Sequence, residues 1–367
     1  MKMEDIARLA NVSKAAVSLA FNGKPGIGQE TRDRILQIAA EAGYTPKIRT
    51  LATKKVAEGA EGLLKASVTG LQQSNNSLVF LVCTNSGIVL EEYYQQPFFQ
   101  ELIQFIEERC RQKGYHLMYS KVNMENFEQE IEKVGDHNRN QGVIVLGTNL
   151  SRQQIYYIQE QLPNVVVLDT CFDEMPVQFV GINNMMGAYQ AGTFLCQTGH
   201  SSIGYIASIV RIHNFEERER GFQTALKEHG VEIPAAHRLS VAPTILTSQE
   251  SLKRQLEEII ARGEGLPTAW FCECDYIAIS AMKTMSELGI RIPEDTSIIG
   301  FDNIKESVIV SPELTTIHVD KERMAVLAVD MLTDSIEKDL DVKSKIKVDT
   351  TFVERKSCVS PGQATNQ

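Results

Sequence analysis

The sequence predicts a small all-α head followed by a larger α/β body that has two lobes and parallel sheets. Residues 3–43 contain three short amphipathic segments separated by turn residues, which indicates a compact helical unit. From residue 78 onward, apolar runs of strand length alternate with amphipathic helical runs. This alternation predicts parallel sheets covered by helices on both faces. Because about 280 residues are too many for one comfortable sheet, we expect two lobes with a cleft between them.

The head has the pattern of a helix-turn-helix unit. A first helix is predicted over 3–10, and Ser13 can cap a second helix over 14–21. The turn-forming run NGKPG follows, and a third helix over 29–42 braces the pair. Two helices joined by a tight turn can place the second one in the major groove of DNA.

Charge is distributed unevenly along the chain. Residues 1–56 hold ten basic and five acidic residues, a net charge of +5, whereas the remainder holds 27 basic and 42 acidic residues, a net charge of −15. A basic head on an acidic body suits a head that contacts phosphate.

The composition indicates a cytoplasmic protein without membrane contact. The sequence has no run of eighteen apolar residues and no secretory signal. The seven cysteines are scattered, and we expect reduced, mostly buried thiols. Cys272 and Cys274 are a close pair, but no second pair lies at a zinc-like spacing. We therefore expect neither a metal site nor a cofactor.

The body is predicted to build its binding site from strand ends, because ligands in such folds bind at the carboxyl ends of the strands. Strands are predicted at 78–83, 116–121, 143–147, 165–169, 203–207, 269–273 and 297–301. Helices are predicted at about 97–113, 125–137, 151–161, 187–198, 216–229, 248–262, 276–288 and 320–337.

A series of motifs resembles the lactose/galactose-repressor family (LacI/GalR), in the same order along the chain. In the head they are DIA at 5–7, VSKAAVS at 12–18, NG at 22–23 and GYTP at 43–46. In the body they are VGINN at 180–184, TGH at 198–200, IGY at 203–205, RERGF at 218–222, GIRIPED at 289–295, IGFDN at 299–303 and SPELTTI at 311–317.

The resemblance covers residues 3–55 and 78–355 and implies a transcriptional regulator. The body would be like the periplasmic binding proteins. The protein would be a homodimer that binds a double-stranded DNA operator with an inverted repeat, and most relatives are repressors. The effector would be a small molecule, sugar-like or nucleobase-like, with a carbohydrate as the commonest case.

With this resemblance the domain boundaries can be predicted. The sequence is divided into a helix-turn-helix head at 1–46, a hinge helix and extended linker at 47–77, an N-lobe at 78–181 and 315–341, a C-lobe at 182–314 and 342–355, and a disordered tail at 356–367. The linker portion is longer than the family usually needs, which leaves open whether the hinge couples head to body.

The resemblance places Lys14, Ala15 and Leu19 on the exposed face of the recognition helix. Lys14 can donate to guanine or contact a phosphate, and Ala15 and Leu19 can contact thymine methyl groups. Family members often carry a polar residue where this chain has Leu19, and a leucine side chain cannot form hydrogen bonds to a base.

Four further residues are candidates for DNA contact. For Ser13, Ser18 and Asn22, phosphate contact competes with a structural role in capping and turn formation. In the family, a leucine of the hinge helix enters the minor groove. Leu51 is the candidate here, with ordinary packing as the alternative.

The resemblance also indicates effector-binding residues in the body. Phe98 and Phe99 open a helix after the first strand, where aromatic faces suit sugar rings and flat bases alike. Packing in the core is the alternative for one of them. Arg218 matches the effector-binding arginine of the family and can form bidentate contacts. Asp302 lies at a strand end and can accept from ligand donors. The remaining candidates, which precede Arg218 on the chain, are Arg211 and Asn214.

Two other positions are given structural roles. We expect Asp275 to be a helix N-cap rather than a ligand contact, and His200 to join a helix end to the next strand. Asn183 and Asn184 stand where the family usually has Asp-Asn.

Two other classes of protein were weighed against a DNA-binding regulator. A solute-binding protein for transport could use the same body, but the helix-turn-helix head argues against it. An enzyme would need a nucleophile elbow, a phosphate loop or a metal constellation, and the sequence contains none of these.

Overall fold

A computed structural model describes 76–84, 88, 93–137, 142–244, 249–263, 265–338 and 342–362, together with positions 7–10, 12–14, 16–17, 28, 31, 34–35 and 38 near the N-terminus. The chain divides into two compact units, Met1–Gln73 and Ser74–Gln367. Within the described residues, no helix is both long and apolar enough to cross a bilayer.

The described positions of the first unit agree with the predicted helical head. Positions 7–9, 14, 16–17, 31, 34–35 and 38 are helical. Ala10, Val17 and Ile35 are buried and contribute to a small apolar core. The Ser13 hydroxyl accepts from the Ala16 amide at 3.1 Å, so Ser13 caps the second helix as predicted.

The first lobe of the body, the N-lobe, is a six-stranded sheet in which every pairing is parallel, with strand order β11-β5-β4-β3-β1-β2. Its strands are β1 (Ser77–Thr84), β2 (His116–Asn123), β3 (Val143–Leu146), β4 (Val165–Leu168), β5 (Gln178–Ile182) and β11 (Lys345–Val348). Its helices are α1 (Pro97–Gln112), α2 (Phe127–His137), α3 (Arg152–Gln161) and α8 (Lys321–Lys338).

Side chains alternate across this sheet, as the strand repeat of two requires. Phe80 and Val82 join the core that includes α1 and α8. Val79 and Leu81 join the core that includes α2 and α3. Both faces are therefore apolar, which explains why β1 reads as a continuous hydrophobic run.

The second lobe, the C-lobe, repeats this design with strand order β12-β10-β9-β8-β6-β7, and its edge strand β12 is antiparallel to β10. Its strands are β6 (Ile203–Ser208), β7 (Arg238–Val241), β8 (Ala269–Cys272), β9 (Ser297–Asp302), β10 (Thr315–His318) and β12 (Thr351–Val353). Its helices are α4 (Asn184–Gln197), α5 (His213–Glu228), α6 (Gln249–Ala261) and α7 (Asp275–Glu287).

Two glycines allow close packing in the C-lobe. A Cβ at Gly204 would lie 2.2 Å from the ring of Trp270, and a Cβ at Gly221 would lie 2.1 Å from the carbonyl oxygen of Met185. Gly221, in the middle of α5, therefore lets this helix approach the backbone of α4 closely.

The chain crosses between the lobes after β5, between β10 and α8, and between β11 and β12. The predicted boundaries in the last part of the chain were wrong. We assigned 315–341 to the N-lobe and 342–355 to the C-lobe, but β10 pairs with β9 in the C-lobe and β11 pairs with β5 in the N-lobe. The crossings thus follow these two strands instead of preceding them.

The predicted disordered tail at 356–367 was also wrong over its first part. The Ile298 amide donates to the Ser357 carbonyl at 2.9 Å, and the Val359 amide donates to the Ser297 hydroxyl at 3.1 Å. Ser357 and Cys358 are buried, because the segment runs beside the start of β9. Residues 363–367 lie outside the described part of the chain.

Candidate binding site

A cavity lies between the two lobes, at the carboxyl ends of the strands. The cavity volume is about 40 Å³, which is enough for a few water molecules. Its apolar wall consists of Ile88, Phe98, Phe99, Ile212, Phe215, Pro243 and Tyr276. Its polar groups belong to Gln96, Thr148, Asp169, Asn214, Arg218, Cys274 and Asp302.

Arg218, on α5, is buried at the centre of the polar wall, and its guanidinium is held on several sides. Nε donates to the Asn184 side chain at 2.8 Å, and Nη1 donates to the Glu273 carbonyl at 2.7 Å. Nη2 lies 2.9 Å from Oδ1 of Asp302. The guanidinium carbon also lies 3.7 Å from the ring centre of Phe301, a cation–π contact. Arg218 is thus fixed in one orientation by groups from α4, from the residue after β8 and from β9.

Asp302 ends β9 with an unusual backbone. Its φ is 109°, and the φ of Asn303 is 51°, a region that costs free energy for residues other than glycine. Burial raises the pKa of the Asp302 carboxyl, while the charges of Arg218 and Lys321 oppose that rise. The two nearby cations therefore limit the rise in the pKa of Asp302 that burial causes.

Asp169 follows β4 and carries a second buried carboxyl. The Thr148 hydroxyl donates to Oδ2 at 2.5 Å, and the Asn214 side chain donates to the carbonyl oxygen of Asp169 at 2.8 Å. Burial raises the pKa of Asp169 to about 7, against the hydrogen bond from Thr148 and the charge of Arg218. Because Asn214 lies on α5, this hydrogen bond joins the two lobes across the cavity.

The aromatic wall also joins the lobes. The backbone N–H of Phe98, at the start of α1, donates to the Tyr276 hydroxyl of α7 at 3.1 Å. Phe98 and Phe99 pack edge to face with ring centres 5.5 Å apart. Both are buried and both line the cavity, so packing and ligand contact are compatible for this pair.

Comparisons with known proteins identify the architecture. Residues 2–47 match the family described as bacterial regulatory proteins, lacI family, and residues 193–358 match the periplasmic binding protein-like domain. The HTH-type transcriptional repressor PurR of Pasteurella multocida (strain Pm70) is 28% identical over 366 residues, 98% of each chain. The chain therefore combines a lacI-family DNA-binding domain with a periplasmic binding protein-like domain. As expected, it falls among transcriptional regulators rather than enzymes.

Two solved structures share the fold of this chain over nearly its whole length. The transcriptional regulator CelR in complex with cellobiose is 22% identical, covers 98% of this chain and 100% of its own, and has a TM-score of 0.65. The Lac repressor dimer bound to operator and the anti-inducer ONPF is 20% identical, covers 98% of this chain and 99% of its own, and has a TM-score of 0.66.

Among the effector-binding residues that the sequence indicated, the structure brings together Phe98, Phe99, Asn214, Arg218 and Asp302 at the cavity. The sixth candidate, Arg211, is not among the residues that line it. Arg211 donates to both carboxylate oxygens of Glu273, at 2.7 and 2.8 Å, and pairs with Glu219. The guanidinium of Arg211, which we expected to bind a ligand, is thus paired with the buried carboxylate of Glu273.

The sequence analysis missed Asp169 and Gln96. A carboxylate directly after an apolar parallel strand was a usable signal for Asp169, because such strand ends meet at the ligand site. Gln96 had no such signal. Its Nε2 donates to the Ile88 carbonyl at 3.3 Å, while its Oε1 is buried without a hydrogen-bond partner in the described structure. A ligand donor at this wall of the cavity would satisfy that oxygen.

The structure tests the structural roles that the sequence predicted for His200 and Asp275. His200 bridges the Thr268 hydroxyl and the Val359 carbonyl through its two ring nitrogens, which confirms its structural role. Asp275 does not cap α7, because Cys274 occupies the N-cap position. Its carboxylate instead accepts from the Ile304 amide and from the hydroxyls of Ser307 and Thr316.

The candidate DNA-contacting residues lie in the first unit. Ser13 and Lys14 are described, and both are exposed at the start of the second helix. The remaining candidates are outside the described residues: Ala15, Ser18, Leu19, Asn22 and Leu51.

Proposed function

We propose that this chain is a lacI-family transcriptional repressor whose affinity for operator DNA is set by a small neutral polyhydroxylated molecule, such as a sugar, bound between the lobes. The observation that supports it is the convergence of Arg218, Asp169 and Asp302 beside the aromatic ring of Phe98 in one interlobe cavity. Aromatic faces with a few placed donors and acceptors suit a sugar ring.

The charges of the cavity favour a neutral effector. Among the described residues that line it, the charged groups are Arg218, Asp302 and Asp169. Asp302 lies 2.9 Å from Arg218 and balances its charge. An anionic ligand would therefore meet no unpaired cation on this wall, whereas hydroxyl groups could donate to the carboxylates and to Gln96 Oε1.

On the DNA side, we propose that two heads of a homodimer read an inverted repeat. Lys14, exposed at the start of the second helix, would contact a guanine or a phosphate, and the five candidates outside the described residues would complete the interface. A single helix with so few donors gives little discrimination, since each correct base contact contributes only about 1–3 kcal/mol. Two half-sites are needed for useful specificity.

Replacing Arg218 with alanine tests the effector site. The full-length protein would first be screened by thermal shift against neutral mono- and disaccharides, and operator affinity would then be measured with and without the sugar that binds. We expect Arg218→Ala to abolish the response to the sugar and to leave operator affinity without sugar within about twofold. Arg238→Ala is the matched control, because Arg238 pairs with Glu219 on the surface and should respond like the wild type. An Arg218→Ala variant with the full sugar response would contradict the assignment of the site.

A further inference from the structure

Lys321 begins α8 at the second lobe crossing and is buried, with a side chain only 4% exposed. Lysine is rarely buried to this extent unless its charge is paired. Neither the sequence motifs nor the proposed effector site gives this residue a role. Its position between β10 of the C-lobe and α8 of the N-lobe places its charge where the two lobes meet.

The ammonium group of Lys321 contacts both lobes. Nζ lies 3.1 Å from Oε2 of Glu101 on α1 of the N-lobe. It donates to the carbonyl of Asp302, at the end of β9 in the C-lobe, at 3.2 Å, and lies 3.5 Å from the carbonyl of Val319 in the crossing. These acceptors match the three donors of an ammonium group.

The two residues that Lys321 contacts, Asp302 and Glu101, lie in or next to the cavity wall. Asp302 lines it, and the Lys321 hydrogen bond fixes the peptide carbonyl of the residue whose φ is 109°. Glu101 follows Phe98 by nearly one turn of α1, and Nζ of Lys321 lies 5.5 Å from the Phe98 ring centre. Lys321 therefore contacts one cavity residue from each lobe: Asp302 of the C-lobe and Phe98 of the N-lobe.

We propose that Lys321 is a positioning residue that ties the strained end of β9 to the start of α1 and thereby keeps the two lobes closed around the cavity. The proposal rests on the proposed function in taking this cavity as the effector site. Loss of the ammonium group would leave the carbonyl of Asp302 and the Glu101 carboxylate without this shared donor. The lobes would then separate more readily, and water would take over both acceptors.

Glu101 also allows a matched control. Lys305, in the segment after β9, pairs with the other carboxylate oxygen of Glu101 at 3.3 Å, but its side chain is 65% exposed. Exposed ion pairs of this kind contribute little, because solvent screens them. Lys305→Met removes a cation from the same carboxylate across the same lobe junction without touching the backbone of Asp302.

Lobe separation can be measured in the full-length protein without effector or DNA. Nitroxide labels on noncanonical residues at Gln153, at the start of α3, and Glu250, at the start of α6, would report the interlobe distance by pulsed electron resonance. Both positions are exposed and begin helices that follow parallel strands, so they lie at the cleft edge of their lobes.

We expect Lys321→Met to add a population with a longer distance, raising the ratio of open to closed molecules roughly 10- to 100-fold, the usual effect of losing a hydrogen bond to a charged group. Lys305→Met should keep the wild-type distribution. A lower melting temperature of Lys321→Met with an unchanged distance distribution would overturn the proposal, because it would show a stabilising role alone.

If Lys321→Met does not fold, Glu101→Gln removes the charge of its partner and should produce the same longer distance. An unchanged distribution in that variant would also overturn the proposal. The distance measurement uses neither DNA nor sugar. An unchanged distance would therefore overturn the role of Lys321 without contradicting the proposed function.

Discussion

At Arg218 and Asp302, two buried charges balance each other inside the lobe junction. The ion pair is short, at 2.9 Å, and both side chains are almost completely buried. Breaking such a pair from one side usually destabilises a protein, because it leaves an uncompensated charge. The motif analysis identified both residues, but their mutual pairing and the contact of Arg218 with Asn184 came from the structure.

Asp169 gives a prediction about pH. Burial raises its pKa in the folded protein to about 7 from an ordinary value of 3.8. The folded state therefore holds the proton more tightly than the unfolded state, and this contribution to stability is complete below about pH 4 and is lost as pH rises through about 7. We expect the free energy of unfolding to fall less from pH 5 to pH 8 in Asp169→Asn than in the wild type. The difference should not exceed about 3 kcal/mol, because each pH unit between 5 and about 7 contributes about 1.4 kcal/mol and the effect ends near pH 7.

Urea denaturation at the two pH values measures this difference. Asp173→Asn is the control, because Lys347 holds the pKa of Asp173 below its ordinary value and the side chain is 73% exposed. Its pH profile between pH 5 and pH 8 should match the wild type. The same pH dependence in Asp169→Asn as in the wild type would show that the Asp169 carboxyl is ionised throughout this range.

At the scale of elements, strands and helices with strong apolar periodicity were predicted close to their observed bounds. The predicted strand at 297–301 is β9 (Ser297–Asp302), and the predicted helix at 97–113 is α1 (Pro97–Gln112). By contrast, β5 was missed, although all of its residues are buried. Its short run Gln178–Ile182 contains a polar residue and a glycine, so it lacks the continuous apolar pattern that identifies a buried parallel strand.

The contact of α4 with α5 gives a prediction at this scale. A Cβ on Gly221 would lie 2.1 Å from the carbonyl oxygen of Met185, and backbone cannot move aside cheaply. We expect Gly221→Ala to destabilise the protein by about 1–3 kcal/mol, the usual cost of overpacking, and to weaken effector binding, since Arg218 lies one turn earlier on α5. Thermal unfolding and the sugar titration measure the two effects.

Gly265→Ala is the control for this substitution, because a Cβ at Gly265 meets no atom within 4 Å. It should unfold at the wild-type temperature. If Gly221→Ala were as stable as the wild type, α4 and α5 could separate without cost. The close contact between these helices would then not be what holds Arg218 in position.

At the scale of the whole molecule, a basic head precedes an acidic body, and the two fall in separate compact units. Deleting residues 1–56 should abolish operator binding and leave a folded body that still binds the sugar. The reason is that the cavity and both sheets lie within the second unit. Fluorescence anisotropy with an inverted-repeat operator, at two salt concentrations, measures DNA binding, and thermal shift measures sugar binding.

The intact chain serves as the reference in that experiment and should lose affinity steeply as salt increases, because phosphate contacts release counterions. Retention of operator by the truncated body would place DNA binding outside the head. Analytical ultracentrifugation of the intact chain with operator would show whether two copies bind one inverted repeat, as we propose.

The sequence by itself determined the classes of structure in this protein: a helical head, parallel sheets in two lobes, and the motif positions of Phe98, Arg218 and Asp302. The helical head and the parallel sheets follow from local periodicity and residue type, which are properties of consecutive residues. The positions of Phe98, Arg218 and Asp302 follow from the resemblance to the lactose/galactose-repressor family. Only the tertiary structure decided which sheet takes β10 and β11, which carboxylate takes Arg211, and that Lys321 is buried at the lobe junction. These outcomes depend on segments far apart in the chain approaching one another, and no local pattern records which partner a strand edge or a charged group will meet.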